Sequence, residues 1–225
     1  MSAILGHGYI VIPGYHFIPK DFTMTLLHID SSILNEQSVS RQLTAAIVKH
    51  LSAAEPDARI IHTDLAADPI NHLSSAEFLA LQGVEPQDEH VKQAVARNTK
   101  LVDDFLAADG IIVGAPMYNF TLPTQLRAWL DRLAVPGRTF RYTENGAEGL
   151  AKGKRVIVAS TRGGLYGEGT PLAFLDHQET YLRSFFGFLG ITDITFIRAE
   201  GLALSPENRT VAIDAAAAQI DGLTA

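Results

Sequence analysis

From residue 24 onward the sequence predicts a single α/β domain with a doubly wound, five-stranded parallel sheet and helices on both faces. Five short apolar segments of strand length follow one another along the chain, and a helix-length segment separates each from the next. Neighbouring parallel strands need such crossover connections, and right-handed crossovers leave few topologies. Counting these five strands alone, the order 2-1-3-4-5 fits the number of elements.

The five predicted strands include apolar runs at residues 25–29 and 109–115, as expected when helices cover both sides of a parallel sheet. They cover residues 25–29, 59–65, 109–115, 154–160 and 193–199. The predicted helices cover residues 38–54, 74–82, 88–107, 124–133, 180–189 and 206–223. Ser38 can cap the first of these helices, and Pro206 suits the first turn of the last. In the irregular stretch 134–153, Asn145-Gly146 predicts a small hairpin.

Composition and charge exclude several function classes. The 225 residues carry a net charge of −7, whereas a surface that tracks nucleic-acid phosphates is normally basic, so no nucleic-acid partner is expected. The chain has no cysteine, which excludes disulfides, thiolate metal sites and cysteine nucleophiles. The eight histidines lack a metal-binding spacing such as His-Glu-x-x-His, so they are expected to be structural or surface residues and no metal site is predicted. Any redox chemistry is then expected to use a non-covalently bound organic cofactor.

The first 19 residues contain no Lys, Arg, Asp or Glu. Glycines and prolines interrupt this stretch, so neither a membrane-spanning helix nor a secretory signal fits it. We expect residues 1–23 to be an extension outside the core fold and residues 24–225 to form the domain. An arm that packs on a partner subunit is the alternative for the extension. The expected location is the cytoplasm, without a membrane partner.

Three predicted loops follow strands one, three and four, at the edge where such sheets bind ligands. The first, residues 30–40, is rich in hydroxyls and leads into a helix N-terminus, where free amides favour an anion. It contains neither Gly-x-Gly-x-x-Gly nor a P-loop, which favours a phosphate monoester. Ordinary helix capping by Ser38 is the alternative.

The second and third loops suggest what is attached to that phosphate. Met117, Tyr118, Asn119 and Phe120 would expose apolar surface unless a flat ring covers them, although a self-packed hydrophobic corner is the alternative. The third loop runs from Thr161 to Gly164, and its glycine amides could face the ring edge where negative charge develops on reduction. Arg162 could add positive charge there or lie in solvent. Together the loops predict FMN.

Several segments resemble the bacterial FMN-dependent NADH azoreductases, which belong to the flavodoxin-like NAD(P)H quinone oxidoreductases. The most specific are Pro-Met-Tyr-Asn-Phe at 116–120 and Thr-Phe-Arg-Tyr-Thr-Glu-Asn-Gly at 139–146. Others are Ser-Ser-Ile-Leu at 31–34, Arg-Gly-Gly at 162–164 and Gly-Phe-Leu-Gly-Ile-Thr-Asp at 187–193. The resemblance covers about nine tenths of the chain and implies a flavodoxin-like fold.

The resemblance also implies site residues and partners. It implies FMN contacts from Ser32, residues 38–40, residues 117–120 and residues 161–164, where the family often has Ser in place of Thr161. It implies a homodimer with flavin sites at the subunit interface. Phe120 and Tyr142 are expected to line the substrate pocket.

The predicted reaction is ping-pong hydride transfer from NADH or NADPH through FMN to a quinone or azo compound. No catalytic side chain is assigned, since the cofactor supplies the reactivity and solvent can protonate the acceptor. The alternatives are an NAD(P)H:FMN reductase, a flavodoxin-type electron carrier and a flavin-free structural domain. Phe140 and Tyr142 in the 134–153 stretch favour a substrate pocket over a carrier.

Overall fold

The computed structural model describes residues 23–224, which form one parallel sheet flanked by helices and a separate hairpin. The strands are β1 (Thr25–Asp30), β2 (Arg59–Asp64), β3 (Gly110–Pro116), β4 (Phe140–Thr143), β5 (Gly146–Gly149), β6 (Arg155–Thr161) and β7 (Asp193–Ala199). The α-helices are α1 (Val39–Ala54), α2 (Ser75–Leu81), α3 (Glu89–Ala107), α4 (Thr124–Leu133), α5 (Glu179–Phe188) and α6 (Pro206–Asp221). Residues 1–22 of the predicted extension lie outside the described part of the chain.

The five-stranded sheet has the order β2-β1-β3-β6-β7, and all of its strand pairs are parallel. The sequence predicted this order as 2-1-3-4-5, counting only the five strands of the sheet. The fourth and fifth of those strands are β6 and β7 here, because the hairpin strands take the labels β4 and β5. The predicted hairpin is also present, with Thr143 opposite Gly146 at its turn. Strands β1, β3 and β6 run one residue further than predicted at their carboxyl ends, so that Pro116 pairs with Thr161.

Two apolar cores, one on each face of the sheet, confirm the doubly wound arrangement. Helices α1 and α6 cover one face, where Leu43, Ile47 and Ile220 pack against β1, β3, β6 and β7. Helices α3, α4 and α5 cover the other face, and Phe105 and Trp129 are fully buried there. Both faces of the central strands are therefore covered by apolar side chains, and ligands can reach the sheet only at its edges or at the ends of its strands. Among residues 23–224 no helix is both long and apolar enough to span a membrane.

A buried polar network ties α2, α3 and α4 together beneath the second core. Arg132 is 1% exposed, and its Nη2 lies 3.0 Å from Oε1 of Glu77. The Arg132 Nε donates to Oδ1 of Asn98, whose amide donates in turn to Glu77. Ser74 donates to the other carboxylate oxygen of Glu77 from both its backbone and its hydroxyl. Breaking such a buried pair leaves a polar group without a partner, which destabilises the fold.

This network predicts a specific pH dependence of stability. Burial alone raises the pKa of Glu77, but the bonds from Ser74 and Asn98 and the charge of Arg132 lower it below the ordinary value of 4.5. Stability from the charged form is therefore present above pH 4.5 and lost as the pH falls through the folded value. We expect Glu77→Gln to lose about 2 kcal/mol of unfolding free energy at pH 7. Urea unfolding of the unaltered protein and of Glu77→Gln at pH 7 and pH 3 checks this. If the two proteins differ in unfolding free energy by the same amount at both pH values, the prediction is contradicted.

Candidate functional site

The three loops predicted to carry the chemistry meet at the carboxyl edge of the sheet. They follow β1, β3 and β6, which are adjacent strands. The first and second loops are joined by the hydroxyls of Ser32 and Tyr118, which lie 3.2 Å apart. The second and third are joined by the amide of Met117, which donates to the carbonyl of Thr161 at 2.8 Å. The predicted residues thus form one continuous surface.

The amino end of α1 has the features of an anion site. Ser38 caps the helix, and its hydroxyl accepts a hydrogen bond from the amide of Arg41. The hydroxyls of Ser38 and Ser40 lie 3.0 Å apart, and the first turn contains no acidic residue. Helix geometry leaves the amides of Val39 and Ser40 without intrahelical acceptors. Two hydroxyls and two amides can therefore converge on a phosphate at the positive end of the helix dipole.

The second loop holds strained backbone and exposed apolar surface. Asn119 and Phe120 have φ values of 48° and 69°, a left-handed conformation that costs a non-glycine residue about 1 kcal/mol. Reciprocal backbone hydrogen bonds between Tyr118 and Thr121 hold this tight turn. Phe120 remains 41% exposed, with its ring edge-to-face to Tyr166 at 5.9 Å. Strain of this kind concentrates at ligand-binding sites, where it presents side chains to a ligand.

A cavity of about 580 Å³ opens beside this loop. Ile33 of the first loop lines one side, and Met117, Tyr118 and Asn119 line the other. Gln125 at the start of α4 adds an amide to the wall. A second cavity, of about 640 Å³, lies at the amino ends of the strands beside Gly110 and Lys154, so it is remote from the three loops. The cavity next to the second loop combines apolar and polar groups at the ligand-binding edge.

The third loop offers free backbone amides. The carbonyls of Arg162, Gly163 and Gly164 accept hydrogen bonds from the amides of residues 201–203. Within residues 23–224 the amides of Gly163 and Gly164 have no acceptor. A Cβ at position 164 would lie 3.0 Å from the hydroxyl oxygen of Tyr166, so glycine lets this ring pack on the loop. The loop can therefore donate two backbone hydrogen bonds to a ligand.

The side chain of Arg162 does not lie where the sequence suggested. It is 1% exposed, so the expectation that it lies in solvent is wrong, and its guanidinium is occupied by carboxylates, which contradicts a role at a ring edge. Its nitrogens lie 2.9 Å from Asp176, 2.7 Å from Glu179 and 3.1 Å from Glu200. A buried arginine needs such partners because an unpaired buried charge is costly. Arg162 therefore anchors the loop from beneath, while its backbone stays in the candidate site.

Gln178 is a positioning residue that sequence reasoning missed. It is fully buried, and its Nε2 donates to the carbonyl of Ala115 at 2.7 Å. Its Oε1 accepts hydrogen bonds from Ser160 and from the Arg162 guanidinium, both at 3.1 Å. Gln178 thus holds the ends of β3 and β6 at a fixed separation beneath the second and third loops. In the sequence, Gln178 is a polar residue shortly before a predicted helix, and nothing in that position indicates this role.

Phe120 and Tyr142, predicted together, are not brought together within the described chain. Tyr142 lies on β4 and is 77% exposed. Its ring packs edge-to-face on Phe140 at 5.4 Å, and Phe140 contacts Phe188 of α5. Among residues 23–224 no hydrogen bond or ring–ring contact joins Tyr142 to the three loops. The hairpin therefore presents Tyr142 outward.

Comparison with known proteins assigns the fold. A family model described as flavodoxin-like fold matches residues 24–223. The chain belongs to the flavodoxin-like fold family. This flavodoxin-like chain is 57% identical over 190 residues to the FMN-dependent NADH:quinone oxidoreductase of Sinorhizobium fredii, covering 84% of this chain and 92% of the relative.

Solved structures agree with this assignment. The azoreductase from Bacillus anthracis strain Sterne matches the flavodoxin-like chain with a TM-score of 0.77 and 29% identity, over 89% of this chain and all of that one. An FMN-dependent NADH-azoreductase from the Ames Ancestor strain of the same species, in complex with FMN, shares the fold with a TM-score of 0.78 at 24% identity. That match covers 88% of this chain and 96% of the other.

Proposed function

We propose that this protein is an FMN-dependent NADH:quinone oxidoreductase that also reduces azo compounds. The observation that carries the proposal is the junction of three loops at one sheet edge: an anion site, a strained apolar turn and a pair of free glycine amides. The relative from Sinorhizobium fredii, named for the same activity, supports it at 57% identity. Cytoplasmic location is part of the proposal, because NADH is abundant there.

The residues present fit FMN. The hydroxyls of Ser38 and Ser40, with the first amides of α1, suit its phosphate monoester. The turn at residues 117–120 offers apolar side chains to the ring system and the Asn119 amide to its heteroatoms. Gly163 and Gly164, within residues 161–164, supply free amides for a ring edge that becomes negative on reduction. Ser32 lies between the first two groups, bonded to Tyr118.

Bound FMN would supply the hydride chemistry between NADH and the acceptor, and use of one site by both substrates in turn would give ping-pong kinetics. The chain's own residues bind and orient. Phe120 is held out of the turn by its left-handed backbone and forms an apolar wall against which a nicotinamide or quinone can stack. Arg162 and Gln178 fix the loop that carries the free amides of Gly163 and Gly164. No side chain is assigned to proton transfer, because solvent can protonate the reduced acceptor.

The phosphate site predicts the effect of one hydroxyl. We expect Ser40→Ala to weaken FMN binding about 10-fold or more, since a hydrogen bond to a charged group contributes about 1.5–3 kcal/mol. Ser40 is not the cap residue, so α1 is expected to keep its stability. Ser52→Ala, on the same helix but away from the anion site, is the matched control with unchanged affinity. Titrating apoprotein with FMN and following flavin fluorescence measures both, and equal affinities contradict the assignment of Ser40.

The outward position of Tyr142 supports a homodimer in which the hairpin of one subunit completes the pocket of the other. We expect Tyr142→Ala to raise the KM for quinone several-fold while the Kd for FMN stays unchanged. Arg141→Ala, its exposed neighbour on the same strand, is the control. Light scattering checks the homodimer, and steady-state kinetics check the contribution of Tyr142 to quinone binding. A monomeric protein with full quinone reductase activity contradicts the shared pocket.

Steady-state kinetics test the function as a whole. With FMN-loaded protein, plots of reciprocal rate against reciprocal NADH concentration at several quinone concentrations should be parallel, as ping-pong exchange requires. NADPH and a soluble azo dye are tested in the same way. Consumption of NADH that depends on added free FMN instead of quinone would indicate an FMN reductase. No turnover with either acceptor would indicate an electron carrier.

A further inference from the structure

Three potential metal ligands that are distant in sequence meet beside the first loop. His28 and Asp30 alternate along β1 and so face the same side of the sheet. His62 lies on the neighbouring strand β2, in register with His28. The two imidazole rings have centroids 4.4 Å apart, and one nitrogen of each and a carboxylate oxygen of Asp30 all lie within 4.8 Å of one another. Spacing along the chain cannot reveal this cluster, because it depends on strand register.

One ligand atom in the cluster is buried without a partner. His28 is 9% exposed, and its Nε2 forms no hydrogen bond within the described residues. That atom points into the cluster, 3.4 Å from Oδ2 of Asp30. A buried polar atom without a partner costs about 1–3 kcal/mol, so it calls for a ligand or another explanation.

Two of the three separations between the ligand atoms suit a tetrahedral cation. Bonds of about 2.0–2.1 Å from zinc to nitrogen or oxygen place neighbouring ligand atoms of a tetrahedral site roughly 3.3 Å apart. The Nε2 atoms of His28 and His62 lie 3.4 Å and 3.0 Å from the same oxygen of Asp30. The side chain of His62 is 49% exposed, so the cluster is open to solvent on that side.

The charges around the cluster also permit a cation. The nearest positive group is Arg41, whose Nη1 lies 3.7 Å from Oδ2 of Asp30. Arg41 is engaged by both oxygens of Asp64, at 2.6 Å and 2.7 Å. These hydrogen bonds lower the pKa of Asp64 to about 2, so its carboxylate is charged at neutral pH. Asp30 and Asp64 thus place two carboxylates beside one guanidinium.

We propose that His28, Asp30 and His62 form a binding site for a divalent transition metal of the zinc class. Two imidazoles and one carboxylate are ligands that such ions prefer over the all-oxygen sets that suit Mg²⁺ and Ca²⁺. The second oxygen of Asp30 stays oriented by the hydroxyl of Thr44 at 2.8 Å, as expected for a metal-binding carboxylate. His28 and His62 lie outside the three loops, and Asp30 is the residue at which the first loop begins, so the site uses none of the side chains assigned to FMN.

Calorimetric titration with Zn²⁺ tests the site in the full-length protein, with and without FMN. We expect one tight site per chain with micromolar or lower Kd, and a loss of affinity of at least about 30-fold in His62→Ala. His62 is half-exposed, so this variant should fold. His90→Ala, an exposed histidine on α3, is the matched control and should bind Zn²⁺ like the unaltered protein, whereas Mg²⁺ should not bind.

Cobalt supplies an independent readout. Co²⁺ bound by two imidazoles and a carboxylate in tetrahedral geometry should give visible absorption bands that disappear in His62→Ala and persist in His90→Ala. Absence of micromolar Zn²⁺ binding overturns the proposal and leaves a structural histidine–carboxylate pair. Unchanged Zn²⁺ affinity in His62→Ala also overturns it, because the metal then binds elsewhere. Either result is separate from FMN binding, which the flavin titration measures.

Discussion

Replacing Arg162 with methionine should abolish stable FMN binding and lower the unfolding free energy by about 3–5 kcal/mol. Arg162 is the shared cation of Asp176, Glu179 and Glu200, and methionine leaves these buried or half-buried carboxylates facing one another. The strand end that carries the glycine amides loses its anchor at the same time. We expect the Kd for FMN to rise at least 100-fold, measured by fluorescence titration, with urea unfolding as the stability measurement.

Arg198→Met is the matched control for this prediction. Arg198 bonds the same carboxylate, Glu179, at 2.7 Å, but its side chain is 42% exposed. Ion pairs that water can reach contribute about 0–1 kcal/mol, so this variant should stay near the stability of the unaltered protein and keep its FMN. If Arg162→Met and Arg198→Met lose equal FMN affinity and equal unfolding free energy, the prediction that burial makes Arg162 the more important of the two is contradicted.

Replacing Gly149 with alanine should displace the hairpin from α5 at a cost of about 3 kcal/mol. Gly149 ends β5, and a Cβ there would lie 2.1 Å from the amide nitrogen of Gly190. The atoms that the added Cβ would meet, in Leu189 and Gly190, belong to the backbone, so no side chain can rotate away to relieve the clash. Because β4 carries Tyr142, the displacement should also raise the KM for quinone. Thermal unfolding and steady-state kinetics measure the two effects.

Gly187→Ala supplies the control in the same region. Gly187 lies in α5, and nothing in the described residues lies within 4 Å of the position of its added Cβ. Alanine favours a helix over glycine by about 1 kcal/mol, so this variant should be slightly more stable. A loss of stability in Gly187→Ala equal to that in Gly149→Ala would contradict the close packing of the hairpin.

Much of the fold could be predicted because each central strand is a short apolar run, separated from the next sheet strand by a segment long enough for a helix. The strand order followed from the number of these runs and the handedness of crossovers. Asn145-Gly146 predicted the hairpin for a local reason, since such dipeptides suit tight turns. Where these patterns are local, the sequence contains enough information to predict the element.

The parts that could not be predicted depend on contacts between distant segments. The position of the Arg162 side chain is decided by three carboxylates that lie 14 to 38 residues further along the chain. The histidine cluster depends on β1 and β2 being in register at His28 and His62. The outward direction of Tyr142 depends on how the hairpin packs on α5. None of these contacts leaves a periodic pattern in the sequence.

The most direct test of the central claim is an absorbance spectrum of the protein loaded with FMN, recorded before and after anaerobic addition of NADH. We predict a flavin band in the blue that persists after gel filtration, bleaches with one equivalent of NADH and returns when a quinone is added. Protein that emerges from gel filtration without flavin, after incubation with excess FMN, would contradict the assignment of the three loops as its binding site.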